Sequence, residues 1–262
     1  MASNLGCVGL GVEDVDRLGD LLAELIPTST ASRQPDGSAL YMWHDESGAR
    51  LTIRTDRGGA IADVTPSYDG EPGADLAGLT ALHHAVVAAD VMAEGEVATR
   101  MAVEVLGPEP VPAAGRAVVT AFGLEVTLHA SADEFASSPA SLLRPGSADE
   151  PRPAHLPEDV VWPQRIAAES FFSDGLFGDP AAAEPLALLS GTVLGGRTAT
   201  VDATGQTFHA VRVRTIGMEV DVCLAADDHP AAPEPGAVLA GTVYVVADVE
   251  RAPSRRRWLG RR

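Results

Sequence analysis

The chain has 262 residues, of which 45% are apolar, 21% charged and 5% aromatic. Its formal charge of −18, from 37 acidic and 19 basic side chains, argues against a general nucleic-acid binder, because such proteins neutralise phosphates with cationic side chains. No apolar run is long enough to span a bilayer, and two cysteines are too few for a disulfide scaffold or an all-cysteine metal cluster.

Residues 1–65 are predicted to form a β-α-β-β-β unit. The apolar run 5–12 is too short for a helix and favours a buried strand. A helix is expected between Asp14, which can cap its first turn, and Pro27, which stops it. Three more strands are predicted, at 39–44, 49–55 and 60–65.

The pattern that follows is mostly that of strands. Residues 79–91 fit either a helix or a strand, because a short apolar run does not distinguish the two. Residues 132–143 predict a short helix with acidic residues in its first turn. Further strands are predicted at 97–106, 117–122 and 124–130, the last two as a hairpin.

The Pro-rich stretch 145–163 predicts a domain boundary. It holds five prolines and four acidic residues with little periodicity. We therefore expect an α+β domain over 1–144, a β-rich domain over 164–250 and a separate tail over 251–262. The second domain is expected to open with a helix over 162–172, since a proline suits a first helical position.

Short strands with glycine at most corners favour a small barrel of OB-like proportions after this boundary. The fold class predicted for the whole chain is α+β and β-rich. The five strands of the expected barrel are at 186–194, 198–202, 207–215, 218–224 and 238–247.

Two segments resemble each other within the chain. Residues 122–134 and 216–228 align without gaps at an offset of 94 residues and share Gly, Glu, Val, Ala and Asp at matching places. The match predicts a duplicated hairpin. Chance similarity is the alternative, since a hairpin with a glycine corner and an acidic turn is a common motif.

One part of the predicted N-terminal unit resembles a known family. The turn at 12–14, its helix and the run 41–51, Tyr-Met-Trp-His-Asp-Glu-Ser-Gly-Ala-Arg-Leu, are similar to the module of vicinal-oxygen-chelate (glyoxalase-like) proteins, whose strands often end in an aromatic-D-x-x-G-x-x-L hairpin. The resemblance implies this fold fragment and inward-facing His and Glu residues that hold a divalent metal. The first-strand His falls near Cys7 here, and residues 51–55 hold no Glu.

The glycines at 6–11 invite a dinucleotide-binding interpretation. Glu13, Asp14 and Asp16 crowd the start of the following helix and would repel a pyrophosphate, so the sequence favours a plain strand-to-helix turn. No G-x-S-x-G, H-E-x-x-H, P-loop or C-x-x-C motif is present. The sequence therefore assigns no catalytic or cofactor-binding residue, and no cofactor is expected.

Candidate metal ligands are few. His83 and His84 are adjacent, so their side chains are expected to point to different sides of a regular element. The densest set of possible ligands is Cys223 with the acidic and histidine residues at 227–229, which also fits a solvated loop between strands. No metal ligand is assigned.

The compartment is inferred from the N-terminus and the cysteines. Residues 1–10 carry no basic side chain, so a secretory signal is not expected. Cys7 and Cys223 lie in apolar contexts and are expected as reduced, buried thiols of a cytoplasmic protein, with a bridge between them as the alternative. The absence of Lys beside abundant Ala, Gly, Pro and Arg is typical of a GC-rich bacterial genome.

The tail differs in charge from the rest of the chain. Residues 1–250 carry 13 Arg and all 37 acidic residues, a formal charge of −24, whereas 251–262 add +6. Such a segment could bind anionic lipid, nucleic acid, an acidic partner or the acidic body itself, or form a disordered end. The candidate partner-binding residues are Arg251, Arg255, Arg256, Arg257, Trp258, Arg261 and Arg262.

Absence of recognisable catalytic chemistry together with this charge segregation favours a non-catalytic binding or scaffold protein. It would act through contacts with a protein partner or with its own copies. One alternative is a small-molecule or metal-dependent enzyme built on the glyoxalase-like unit. Another is attachment of the tail to an anionic membrane or to nucleic acid.

Overall fold

The computed structural model describes residues 3–83, 86–107, 110–144 and 146–251. Within these ranges the chain forms a four-stranded sheet, a nine-stranded sheet and two α-helices. The predicted α+β, β-rich fold class is confirmed. No helix in the described ranges has the length and apolar character that crossing a membrane demands.

The first helix, α1, spans Val15–Leu25, as the sequence predicts. The carboxylate of Asp14 caps it by accepting a 2.8 Å hydrogen bond from the backbone N–H of Arg17. Leu22 and Leu25 on its apolar face are buried in the cluster that the helix shares with the four-stranded sheet.

The four-stranded sheet is an antiparallel meander in chain order. Its strands are β1 (Thr30–Arg33), β2 (Ala39–His44), β3 (Ala49–Thr55) and β4 (Ile61–Tyr68). The predicted strands at 39–44 and 49–55 are confirmed, and the third extends further than expected. Side chains of β3 alternate between buried and half-buried, so one face of the sheet is directed at the core.

The strand predicted at 5–12 is wrong. Gly6–Val8 forms a short 3-10 helix, followed by Gly9 at φ +71°, where a side chain would lie 2.8 Å from Val201 Cγ2. Cys7 is fully buried. The segment is therefore apolar because it fills space in the core, and not because it is extended.

The nine-stranded sheet accounts for most of the remaining chain. A second helix, α2 (Ala132–Ser137), confirms part of the helix predicted at 132–143. Residues 79–91, left open between helix and strand, belong to strands wherever the structure describes them as regular. The strands are β5 (Ala74–His83), β6 (Val86–Ala93), β7 (Glu96–Val105), β8 (Ala114–His129), β9 (Ser170–Ser173), β10 (Leu186–Thr200), β11 (Thr207–Thr215), β12 (Met218–Ala225) and β13 (Val238–Val249).

Eight of the nine strands close into two rings that share two strands. The first ring contains β5, β6, β7, β13 and β8 in that order, and the second contains β10, β11, β12, β8 and β13. Strands β8 and β13 pair antiparallel along the whole of β13 and belong to both rings. Strand β9 is attached to β10 outside the closed circuit.

The two rings have the same connectivity, with β5 to β8 corresponding to β10 to β13. Each contains one parallel pair. In the first ring β7 pairs with β13 from Glu104, opposite Val246, and in the second β12 pairs with β8 from Asp221, opposite Thr120. Glu104 and Asp221 therefore occupy corresponding places in the two rings.

The hairpin predicted at 117–130 is wrong, because β8 continues through it without turning. Gly123 lies inside the strand, at the bulge where the register against β13 shifts between Thr242 and Val243. A side chain at Gly123 would collide with Leu224. This glycine permits close packing and does not form a corner.

The helix predicted at 162–172 is also wrong. Ser170–Ser173 forms β9, which pairs with β10 and places Phe171 in the core of the rings. Edge pairing and burial of one aromatic side chain therefore outweigh the helical signal of the proline at its start.

The two similar segments, 122–134 and 216–228, do not occupy corresponding strands of the two rings. The first segment begins in the second half of β8, whereas the second contains a turn and β12. In the topology observed, β8 corresponds to β13. The similarity of the two rings therefore lies in their strand connections and not in these two segments.

The predicted C-terminal barrel is a closed ring, but its strands differ in two ways from the expectation. The strands predicted at 186–194 and 198–202 are parts of one strand, β10, which ends at Thr200 and has an irregularity between Val193 and Gly195. The ring is completed by β8, which comes from the predicted domain 1–144. The domain boundaries around 145–163 stay a prediction.

Two large apolar clusters form most of the core of the described residues, and a small third one surrounds Phe135. One is formed by the inward-facing side chains of both rings. The other lies between α1, the four-stranded sheet and the outer faces of β8, β11 and β12, and includes Trp43, Phe122 and Phe208. The four-stranded sheet is thus packed against the outside of the rings, and a cleft lies between β3 and β4 of that sheet and β7 and β13 of the first ring.

Candidate functional site

The cleft between the four-stranded sheet and the first ring has a volume of about 670 Å³. Volumes of this order are usual for ligand sites in proteins. Strands β3 and β4 line one side, and β6, β7 and β13 line the other. The lining residues are Asp36, Ser38, Arg54, Thr55, Asp56, Ala62, Asp63, Val86, Glu104, Val105, Gly107, Val111 and Tyr244.

Glu104 is the buried charged side chain of this cleft. It is 8% exposed, and its neighbours Val103 and Val105 face the ring core, so the alternation of β7 turns Glu104 outward. Thr65 Oγ1 donates a 2.6 Å hydrogen bond to Oε1, and the Tyr244 hydroxyl donates a 2.5 Å bond to Oε2. The carboxyl is therefore held by two neutral hydroxyls.

The environment of Glu104 shifts its acidity. Burial raises the pKa of its carboxyl above the usual value, although the bonds from Thr65 and Tyr244 and the charge of Arg54 act in the opposite direction. Burial, and then the negative charge of Glu104, raise the pKa of Tyr244. Tyr244 thus remains a protonated donor at neutral pH.

Three more carboxyl groups and one guanidinium line the cleft. Asp36 Oδ1 accepts bonds from the N–H and hydroxyl of Ser38, which lower the pKa of Asp36, and Asp56 Oδ1 accepts two backbone N–H bonds in its own turn. Asp63 is exposed. The side chain of half-buried Arg54 makes no hydrogen bond or ion pair with the described residues. The cleft is acidic overall.

A smaller hollow of about 350 Å³ adjoins the cleft. The two share Asp36, Ser38 and Arg54, and the hollow adds Gln34, Pro35 and Pro110 to the lining. Because the linings overlap, the two form one elongated groove at the end of the four-stranded sheet that carries the β1–β2 and β3–β4 turns.

The corresponding carboxyl of the second ring has a different environment. Asp221 is 7% exposed, and its Oδ2 lies 3.0 Å from Nη1 of Arg212. Arg212 also bonds the backbone oxygen of Glu71 at 2.8 Å and the Glu219 carboxylate at 3.1 Å. Burial raises the pKa of Asp221 to about 6. A side chain at Gly70 would collide with Asp221, so the loop after β4 packs closely here.

A second large hollow, of about 660 Å³, lies beside this ion pair and contains Arg212 and Arg214. Arg212 is paired with Glu219, and Arg214 lies 2.9 Å from Glu169. Arg212 and Arg214 thus already have carboxylate partners within the chain, and the third cation of the hollow, Arg116, donates a 3.4 Å hydrogen bond to the backbone oxygen of Pro72. This arrangement is that of a structural ion-pair network.

The candidate metal ligands of the C-terminal ring do not converge. Cys223 is fully buried, whereas Asp227 and Asp228 are exposed. His229, the third candidate, is half-buried, and its backbone oxygen lies 2.8 Å from Nε2 of His209, whose Nδ1 lies 2.8 Å from the Thr198 hydroxyl. Among the described residues, no group of three or more His, Cys, Asp or Glu side chains is placed to hold a metal ion.

The two cysteines are buried free thiols in one apolar cluster. The Cys7 thiol donates a 3.4 Å bond to the backbone oxygen of Gly123, and burial raises the pKa of Cys7 to about 12. Cys7 lies in a 3-10 helix and not on a first strand, so it does not occupy the position that the glyoxalase-like module gives to a metal-binding His.

In the glycine-rich N-terminal segment, the backbone of Gly11 is hydrogen-bonded by a side chain of the same chain. Gln206 Oε1 accepts the N–H of Gly11 at 2.9 Å, and its Nε2 donates to the Gly11 oxygen at 2.7 Å.

His83 Nε2 lies 2.5 Å from the oxygen of Ala183, while His84 falls outside the described residues.

Of the predicted tail residues, the structure describes Arg251 alone. Its Nη1 donates a 3.2 Å hydrogen bond to the backbone oxygen of Pro110, which lines the smaller hollow. Arg255, Arg256, Arg257, Trp258, Arg261 and Arg262 lie outside the described residues.

Sequence reasoning did not single out Glu104 or Tyr244. The available signal was one carboxyl inside an otherwise apolar run, Met101-Ala-Val-Glu-Val105, in a segment predicted as a strand. A charge at such a position is either on an exposed face or buried with partners. The identity of those partners was not evident from the local pattern.

No protein-family model matches the chain, and comparison with curated proteins and with solved structures finds no match. The chemistry of the cleft must therefore be argued from its own residues. A buried carboxyl, three further carboxyls and an elongated opening form a surface that can accept hydrogen bonds from a cationic group.

Proposed function

We propose that the protein is a non-catalytic binding protein whose acidic cleft receives a guanidinium or ammonium group from a protein partner. The observation that carries this proposal is the environment of Glu104, a carboxyl that is 8% exposed and held by the hydroxyls of Thr65 and Tyr244. No described cation lies within ion-pair distance of it.

The energetics favour a cationic occupant. A buried carboxylate loses hydration, and neutral hydroxyl donors recover only part of that loss. Each carboxyl oxygen of Glu104 accepts one of these two hydroxyl bonds, and each can accept another. An incoming guanidinium or ammonium group would supply charge-assisted bonds at the same position, which are stronger than neutral ones.

The shape of the groove supports a chain segment as occupant. The smaller hollow continues the cleft past Pro110, so the opening is longer than one side chain needs. The formal charge of −24 over residues 1–250 would also draw a basic partner towards the body before contact.

Binding of a fluorescein-labelled, arginine-rich peptide to the full chain tests this proposal by fluorescence anisotropy. Asp63→Asn removes one charge at the rim while retaining one oxygen that can accept the N–H of Val64. We expect it to weaken binding about fivefold, and Glu104→Gln to weaken it at least as much.

Asp133→Asn is the matched control, because it makes the same charge change at an exposed position of α2. It should leave the affinity within about twofold of the wild type, since screening weakens distant surface charges. Equal affinities of the Asp63→Asn and Asp133→Asn variants would show that the peptide recognises net charge and not the cleft, and would refute the proposal.

A further inference from the structure

We infer that residues 252–262 bind in the acidic cleft of their own chain and compete there with the cationic partner. This inference rests on the proposed function, because it requires a cleft that accepts cations. It adds a specific occupant and an autoinhibitory role for a segment that lies outside the described residues.

The first argument is the place where the chain leaves the ring. Strand β13 runs parallel beside β7, with Ala247 opposite Val105, and the backbone N–H of Leu106 donates a 2.9 Å bond to the Ala247 oxygen. Four residues later, Arg251 bonds the oxygen of Pro110 in the lining of the groove. The segment therefore starts at the rim of the groove.

The second argument is reach. A chain of n residues spans at most about 3.3–3.6 Å for each residue, so the part of the chain between Arg251 and Arg255 can extend by roughly 13–14 Å. The whole segment 252–262 can extend by roughly 36–40 Å. Reaching the cleft from its rim requires only part of this length.

The third argument is charge. The segment 252–262 carries no acidic residue, and its cations are Arg255, Arg256, Arg257, Arg261 and Arg262. The groove that it adjoins is lined by four carboxyl groups and a single guanidinium. A tethered segment has an effective concentration in the millimolar range, so a modest intrinsic affinity is enough for it to compete with a free partner.

The test compares two full-length proteins, the wild type and a variant in which all five arginines of 252–262 are changed to Gln. The probe is a labelled peptide with the natural sequence 252–262, added in solution. We expect the variant to bind the peptide at least tenfold more tightly, because its own segment no longer competes. Asp63→Asn in the variant should weaken this binding, whereas Asp133→Asn should not.

The outcomes separate the inference from the function on which it rests. Equal affinity of the wild type and the tail variant, with Asp63→Asn still weakening both, would overturn the inference and leave the cationic cleft standing. No peptide binding by the tail variant, or binding unaffected by Asp63→Asn, would overturn the cationic cleft and the inference together.

A direct measurement uses a benzophenone photocrosslinker in place of Trp258 in the full chain. We expect irradiation to join position 258 to residues 54–63 or 104–111 of the same molecule, as identified by mass spectrometry, and added salt to reduce the yield. Crosslinks confined to other parts of the chain would overturn the inference. Crosslinks formed solely between two copies would overturn it as well, because the segment would then act between molecules.

Discussion

Glu104 and Asp221 occupy corresponding places in the two rings, and burial raises the pKa of both carboxyls. Their partners differ. Glu104 accepts hydrogen bonds from two neutral hydroxyls beside an open cleft, whereas Asp221 is paired with the Arg212 guanidinium against a closely packed loop. Asp221 in the second ring therefore joins parts of the fold. Glu104 in the first ring is a carboxyl that can still gain a cationic partner.

Among the variants that test this difference, removal of Arg212 is expected to have the largest effect on the free energy of unfolding. Arg212→Ala would leave buried Asp221 without its cation and break the contact to the Glu71 oxygen, so we expect a loss of about 3–5 kcal/mol in the free energy of unfolding. Urea denaturation followed by circular dichroism measures it. Arg214→Ala is the control, because that exposed side chain pairs with Glu169 at the surface. Similar losses in both variants would contradict the inference that the buried Arg212–Asp221 pair joins parts of the fold.

The pH dependence of stability provides the next test. Because the folded pKa of Asp221, about 6, exceeds its ordinary value of 3.8, its contribution to stability is fully present below about pH 4 and is lost as pH rises through about 6. The free energy of unfolding of the wild type relative to Asp221→Asn should therefore fall by about 2 kcal/mol between pH 4 and pH 7.

Glu104→Gln extends this test to the first ring. Relative to Glu104→Gln, the wild type should lose stability in the same direction with rising pH, because burial raises that pKa as well. Urea titrations at intervals between pH 4 and pH 7 measure both differences. A relative stability that rises with pH for either carboxyl would contradict the burial argument.

Loss of the Tyr244 hydroxyl is expected to have the smallest effect. Tyr244→Phe removes one hydrogen bond to Glu104 and should lower the free energy of unfolding by about 1–2 kcal/mol, as measured by thermal and urea denaturation. Tyr41→Phe is the control, since the Tyr41 hydroxyl makes no hydrogen bond with the described residues. If the two variants are equally stable, Tyr244 does not support the carboxyl.

Local signals predicted a large part of the fold. The Asp14 cap and the helix after it, and the strands at 39–44 and 49–55, depend on nearby residues and were found as expected. The apolar run 5–12 and the proline-led segment 162–172 were interpreted wrongly, because their structure is decided by packing against distant strands.

The candidate site could not be identified from the local sequence pattern. Glu104 receives its bonds from Thr65, 39 residues earlier, and from Tyr244, 140 residues later. A strand pattern indicates which side of β7 a side chain occupies, but contacts over such separations depend on the closure of the first ring. The sequence therefore contains the carboxyl but does not reveal the hydroxyls that hold it.

Because the two rings share β8 and β13, the first ring cannot close before the end of the second ring has been synthesised. Four strands of the first ring, β5 to β8, are complete by His129, but the ring cannot close until β13, which ends at Val249, has left the ribosome. During that interval the edges of β7 and β8 lack their partner, and unpaired strand edges promote aggregation. This period lasts for the synthesis of about 120 residues, from His129 to Val249.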